Sequence, residues 1–295
     1  MTFRKKDITI LLALFVITIL CVRYFHKRMS DEQLVASVEP LSLIVPTPKT
    51  ILSVNRPDVL SKFILPMENF RKVFTQRTPL FFQDIIQKKN DFPAFLLVYY
   101  PESVVMIASM NEQDANHLYK ELDSYFDYSS LEKIKYGITM RYFPDIDKRF
   151  LASYYHQGVF VASYDNRLIK QIAKKQRFYP QTVLPEIQNA VQKKGRNAAL
   201  NLYMPNEKLN LFVKTSDTTE WRLEDPWLGS DLFYNEGKVC CVHELNYDAS
   251  LDSLQLYQNL SDTIQDRLNQ LFPEIKTTTQ VSHDEAVAYF TTCGQ

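Results

Sequence analysis

Glycine is nearly absent from this chain of 295 residues. Only Gly137, Gly158, Gly195, Gly229, Gly237 and Gly294 occur, and the nearest two stand eight positions apart. A backbone that wraps a phosphate needs clustered glycines, so neither G-x-G-x-x-G nor G-x-x-x-x-G-K-[ST] can form. The nucleophile elbow G-x-S-x-G is missing as well. Dinucleotide-binding folds of that type, P-loop enzymes and α/β-hydrolases are excluded together. Gly158 and Gly237 fall instead where hairpin turns are expected, and Gly195 where two segments meet. Gly137, Gly229 and Gly294 take no role in this reading.

The chain has ample material for a core, being 45% hydrophobic and 13% aromatic, so disorder by composition is excluded. Residues 8–22 form an uncharged run of 15, apolar around the whole circumference of a helix. A spanning helix needs about 17–25 residues. Arg23 can snorkel, and Phe3, Tyr24 and Phe25 can sit at the interfaces, which extends the run to a usable length. The segment Leu20-Cys21-Val22-Arg23-Tyr24 offers no small-residue cleavage site and no lipoprotein-type cysteine context. An uncleaved signal-anchor within residues 1–29 is therefore expected. Arg4, Lys5 and Lys6 on one side nearly balance Arg23, Lys27 and Arg28 on the other. The short basic tail and the large following domain favour the tail inside and the domain exported. Cytoplasmic placement, with the domain on the inner leaflet, is the opposing reading.

Residues 30–48, with Pro40, Pro46 and Pro48, read as a stiff tether. A strand is expected at 50–54, then a helix opened by Pro57 that turns Val59, Leu60, Phe63 and Ile64 inward. Residues 94–100 and 104–108 read as a hairpin across Pro101-Glu102-Ser103. Asn111 caps an amphipathic helix whose apolar face is Ala115, Leu118, Tyr119, Leu122, Tyr125 and Phe126. Strands follow at 134–143, 150–155 and 159–163. Asp165 then caps a helix burying Leu168, Ile169, Ile172 and Ala173, and a further helix covers 183–194. From residue 198 the pattern restarts: a strand at 198–203, Pro205, and an apolar helix with Leu209, Leu211, Phe212 and Val213. Strands at 230–234 and 238–246, a helix at 249–271 and a strand at 287–292 complete it. The class is α+β, with antiparallel strands and packed helices in two related halves, 49–195 and 196–295.

The segments Thr50-Ile51-Leu52-Ser53-Val54-Asn55-Arg56-Pro57 and Gly158-Val159-Phe160-Val161-Ala162-Ser163-Tyr164-Asp165, with the paired strands over 230–246, carry a resemblance. The chain resembles an uncharacterised family of bacterial cell-envelope proteins of the Bacteroides type, a domain of unknown function with an N-terminal anchor and a two-half α+β ectodomain. The resemblance implies an exported, anchored protein and carries no catalytic residue over.

Chemistry-bearing residues are sparse. Cys240 and Cys241 on one strand point to opposite faces, and either could bridge Cys293 in an oxidising compartment. Free buried thiols are the alternative. Cys241, His243, His283 and Cys293 lack the C-x-x-C spacing of structural zinc. A Cys241–His243 nucleophile has no third orienting group, though it is the least poor enzymatic candidate. His117 and His156 have no partner at catalytic spacing. Asp145-Ile146-Asp147-Lys148 lacks the glycine and terminal glutamate of a calcium loop. The carboxylates Asp123, Asp127, Glu220, Glu224 and Asp225 read as solvated loops.

Charge distribution says more than the net charge of zero. Residues 1–200 carry an excess of +9 and residues 201–295 an excess of −9. The basic excess gathers at Arg167, Lys170, Lys174, Lys175, Arg177, Lys193, Lys194 and Arg196. Arg167, Lys170, Lys174, Lys175, Lys193 and Lys194 are candidate contacts to an anionic surface, either lipid headgroups or an acidic partner. Solvated helix faces, or two halves of opposite charge meeting in one molecule, are the plainer explanation. The sequence thus predicts a single-pass protein of the bacterial inner membrane with a periplasmic C-terminal domain. That domain is expected to be a non-catalytic binding or structural module, with an enzyme of unrecognised site as the alternative. Its partners are the membrane through the N-terminal helix and an envelope protein, with no cofactor, metal or nucleic acid.

Overall fold

The computed structural model describes residues 15–25, 38–88, 92–145, 149–179, 182–192, 195, 197–205, 227–235, 238–246, 278–284 and 287–294. For residues 69, 238, 243–246, 278–284 and 287–294 only the backbone is described. The expected helix with Leu209, Leu211, Phe212 and Val213 and the expected helix at 249–271 lie outside the described residues. Residues 15–25 form a helix, α1, with every side chain exposed. Among the described residues no helix is long and apolar enough to cross a membrane. Residues 8–14 of the apolar run lie outside the description.

Among the described residues the fold is α+β around one fully antiparallel sheet of twelve strands. Thr50–Val54 (β1) is followed by Phe95–Tyr99 (β2), Val104–Ser109 (β3), Leu131–Lys135 (β4), Ile138–Pro144 (β5), Phe150–His156 (β6) and Val159–Ser163 (β7). Leu200–Pro205 (β8), Trp227–Asn235 (β9), Lys238–Asn246 (β10), Thr278–Asp284 (β11) and Val287–Gly294 (β12) complete it. The spatial order is β11-β12-β10-β9-β8-β1-β2-β3-β7-β6-β5-β4. Central pairing of β1 with β8, Ser53 opposite Asn201, makes the sheet continuous.

Both faces of the central strands are buried, which explains their unbroken apolar runs. Along β2, Phe95 and Leu97 enter one core while Leu96 and Val98 enter the other; β7 divides Phe160 and Ala162 from Val159 and Val161 in the same way. The first core is covered by Pro57–Val59 (α2), Glu68–Arg77 (α3), Leu80–Lys88 (α4) and Glu112–Tyr125 (α5). The second is covered by Asn166–Phe178 (α6), Pro185–Gln192 (α7) and residues 38–45. Asn111 caps α5 by accepting from the Asp114 amide at 2.8 Å, and Asp165 caps α6 by accepting from Arg167 and Leu168. Each such cap satisfies amides that a helix start leaves open.

Four expectations need adjustment. The segment from Val38 to Val45 is core: Leu43 and Ile44 are fully buried, and Pro40 starts a 3₁₀ turn that suits its fixed φ. Phe63 is exposed, because Leu60–Ile64 forms a π turn closed by the Leu65 amide on the Leu60 carbonyl, which shifts the inward face. Residues 134–143 span the end of β4, a turn at Tyr136 (φ 57°) and Gly137 (φ 74°), and most of β5. Gly137 therefore has a role, since glycine takes positive φ without strain. Strand β11 was not anticipated.

A polar network joins the central strands. Asn55 donates to the Ala198 carbonyl at 2.9 Å and to Asn201 Oδ1 at 2.7 Å. Asn201 donates to Asp231, whose other oxygen accepts from the Gly195 amide. A Cβ on Gly195 would collide with that carboxylate, so the close approach requires glycine.

Candidate functional site

At one end of the sheet the chain turns enclose an open groove of about 1550 Å³. The α3–α4 junction, the β2–β3 turn, the end of α5, the end of β5 and the β7–α6 turn contribute its walls. Pro79 breaks the helix between α3 and α4, and Gln83 Nε2 donates to the freed carbonyls of Thr75 (3.0 Å) and Thr78 (2.6 Å). Thr78 is hydrogen-bonded to the Tyr99 hydroxyl at 2.9 Å, which fixes that ring in the wall. On the opposite side Tyr164 donates to Asp145 at 2.8 Å, with the Arg149 guanidinium 5.1 Å from its ring centre. Tyr125 donates to Asp84 at 3.2 Å and packs edge-on against Phe81.

These phenols are held neutral. Burial raises Tyr99 to about 12, with the Thr78 hydrogen bond and Arg77 acting in the opposite direction. Tyr164 is raised by burial and by Asp145, and Tyr125 by burial and by Asp84. They offer rings, their hydroxyls being engaged by Thr78, Asp145 and Asp84, and cannot serve as bases near neutral pH. Arg77, Arg167 and Lys170 reach the same groove and make no salt bridge among the described residues. Rings beside unpaired cations suit contact with anionic or ring-bearing groups.

The residues singled out from sequence scatter. Arg167 and Lys170 line the groove. Lys174 is exposed, 5.9 Å from the Tyr179 ring centre. Lys175 is engaged with the Ile44 and Thr182 carbonyls at 2.7 and 3.4 Å, and burial lowers its pKa against the opposing effect of Glu186. Lys193 and Lys194 lie outside the described residues. Cys240 and Cys241 sit on β10, and Cys240 is disulfide-bonded. The residue opposite Cys240 across the β10–β12 ladder is Cys293. Cys241 is a free buried thiol pushed up to about 12 by burial and then by Asp231. Its thiolate, the reactive form, is scarce at neutral pH. His243 stands two residues further along β10; its side chain is outside the description. His117 pairs with Glu121 one turn away, at 3.3 Å, on the surface. His156 lies in the β6–β7 turn region, its pKa lowered by burial and by Arg177. Among the described residues no three His, Cys, Asp or Glu side chains gather as a metal site.

Sequence reasoning missed Arg77, Tyr99 and Tyr164 as groove residues. They come from separate elements with no shared local spacing, so no window of sequence brings them together. Only the charge cluster on α6 gave a signal.

No protein-family model matches the chain, and no curated protein matches it in sequence. Among solved structures the chain is similar to TP0453. Crystal form I of that protein gives a TM-score of 0.46 at 10% identity, covering 87% of this chain and 93% of TP0453. Form IV gives 0.46 at 10% identity over 88% and 94%, and form III 0.45 at 11% over 88% and 94%.

Proposed function

We propose that this is a single-pass envelope protein of the bacterial inner membrane, anchored through residues 8–22, whose periplasmic domain is a non-catalytic binding module. The groove carries the reading. It sets Arg77, Arg167 and Lys170, free of salt bridges among the described residues, beside neutral tyrosines. The lining also holds Glu102, Asp127, Asp145 and Asp165, of which Asp145 accepts from Tyr164 and Asp165 caps α6; the three cations fit an envelope protein partner presenting acidic groups. The thiol-dependent alternative is disfavoured by Cys241, which burial keeps protonated.

The test combines topology with contact. A reporter fused after residue 295 should be active in the periplasm, and a photo-crosslinker at the exposed Tyr128 should give one discrete adduct in intact cells. Arg77→Glu with Arg167→Glu should abolish the adduct while the protein still accumulates. A cytoplasmic reporter would remove the placement; an adduct indifferent to both charge reversals, or turnover of a substrate by the purified protein, would remove the binding role.

The finer architecture, two related halves at 49–195 and 196–295, is part of the same proposal. Reading outward from the central pair, one side runs β1-β2-β3-β7-β6-β5-β4 and the other β8-β9-β10-β12-β11, the first side being two strands longer. Each half enters on a central strand, adds a hairpin, and returns its last strand beside the second strand of that hairpin. Homologous sequences should align half to half along this order. Their failure to do so would leave the resemblance topological.

A further inference from the structure

Helix α6 presents two different faces. Ile169, Ile172, Ala173 and Gln176 are buried, while Arg167, Lys174 and Arg177 are exposed and Lys170 half-exposed. Steps of three, four and three residues place those four cations along one side. The helix contains no acidic residue. At its C-terminal end Phe178 is 59% and Tyr179 54% exposed. Phe178 packs edge-on against Tyr136 at 5.9 Å, where the β4–β5 turn adds Lys135, and neighbouring Ile134 is 78% exposed. Cations interleaved with exposed aromatic and aliphatic side chains are the composition of a surface that lies on lipid headgroups.

The course of the chain points the same way. The described chain resumes at Val38, and its buried segment runs beneath α6, where Lys175 Nζ donates to the Ile44 carbonyl at 2.7 Å. The exposed apolar helix α1 ends at Phe25, with twelve residues between it and Val38. Twelve residues span at most about 40 Å, so a membrane holding α1 is within reach of α6.

We infer that the outer face of α6, with Phe178 and Tyr179 at its end, rests on the anionic headgroups of the membrane in which the N-terminal segment is anchored. The inference depends on the anchoring proposed above and assigns a face of the domain to that membrane. Lys174 and Arg177 lie outside the groove lining, so this contact can be altered without touching the groove. An acidic protein surface is the competing occupant, and quenching by brominated acyl chains distinguishes the two.

Full-length protein carrying Phe178→Trp, reconstituted into vesicles of phosphatidylcholine mixed equally with phosphatidylglycerol, tests the contact. The wild-type chain, which has Trp221 and Trp227, supplies the background. Brominated acyl chains should quench the added tryptophan in the mixed vesicles and much less in phosphatidylcholine alone. Lys174→Gln with Arg177→Gln should lower the docked-to-undocked ratio about 30-fold, taking each cation near an anionic surface at its usual worth. Tyr179→Trp repeats the measurement at a second exposed position, in case the first variant disturbs the ring of Tyr136. Protein that floats with the vesicles while both tryptophans stay unquenched would overturn the contact and leave the anchor standing. Protein that fails to float would overturn both.

Discussion

The two faces of the sheet are built from different aromatic residues. Every buried phenylalanine among the described residues, from Phe74 to Phe160, lies in the core under α2–α5. Among the described residues the other core has no phenylalanine; its buried aromatics are Tyr100, Tyr142, Tyr154, Tyr203 and Trp227. Three of those tyrosines reach out of the sheet to what covers it. Tyr100 donates to the Val45 carbonyl at 3.1 Å, Tyr142 to Asn166 at 3.2 Å and Tyr154 to Gln176 at 2.9 Å. Burial of hydrocarbon is non-directional and tolerates small shifts of a helix, whereas a buried hydroxyl demands its partner. One face is thus held by contact area, and the other is keyed to the position of residues 38–45 and α6.

The largest effect should come from the phenylalanine face. Phe82 on α4 is fully buried among Phe81, Phe95 and neighbouring aliphatics. Phe82→Ala should cost about 3–5 kcal/mol, transfer plus residual cavity, measured by urea unfolding at unchanged slope. A cost below about 1 kcal/mol would mean that this face re-forms easily and that α4 is loosely seated.

Tyr154→Phe probes the keyed face with almost no change in volume. It leaves Gln176 Oε1 without the hydroxyl, while Gln176 Nε2 still donates to the His156 carbonyl at 2.9 Å. The expected loss is about 1–3 kcal/mol, with hydrogen exchange quickening first in α6. Uniform acceleration through α4 and α5 would show that the two faces open together and that the distinction has no energetic content.

Much of this layering was readable and part was not. Strand positions such as 50–54 and 238–246 announce themselves by β-branched and other apolar residues bounded by turn residues. Which face each residue takes does not, because an apolar residue on either side satisfies a sheet covered on both. The core role of residues 38–45 was hidden by three prolines, which report a stiff backbone and say nothing of burial. Tyr136 in the left-handed region concealed the β4–β5 turn, since a bulky residue is an uncommon choice there. The groove was invisible for a different reason: Arg77 and Tyr164 are 87 positions apart, and proximity at that separation is a property of topology alone.

A smaller effect should appear on acidification. His156 Nε2 is buried with no hydrogen-bond partner among the described residues, and burial followed by Arg177 lowers its pKa from 6.5. The unfolded chain therefore takes up a proton at a pH where the folded chain does not. Stability should fall as pH drops below about 6.5 and level off once the folded state protonates too. His156→Gln should flatten that part of the profile, measured as midpoint against pH. A wild-type profile equally flat from pH 7 to 5 would contradict the desolvated ring.

The smallest effect is the most discriminating. Tyr203 is fully buried in the keyed core, yet its hydroxyl has no partner among the described residues. A Cβ placed on Gly229 would meet the ring at 3.7 Å, so the ring packs close to the backbone there. An unpaired buried hydroxyl forfeits its bonds to water and gains none in exchange. Tyr203→Phe keeps the ring and removes the forfeit, so it should leave stability within about 0.5 kcal/mol of wild type or raise it. The same chemical change at Tyr154, in the same core, is expected to destabilise. If the two substitutions cost the same, the hydroxyls are not what fastens residues 38–45 and α6 to the sheet, and the tyrosines serve this face only as bulk.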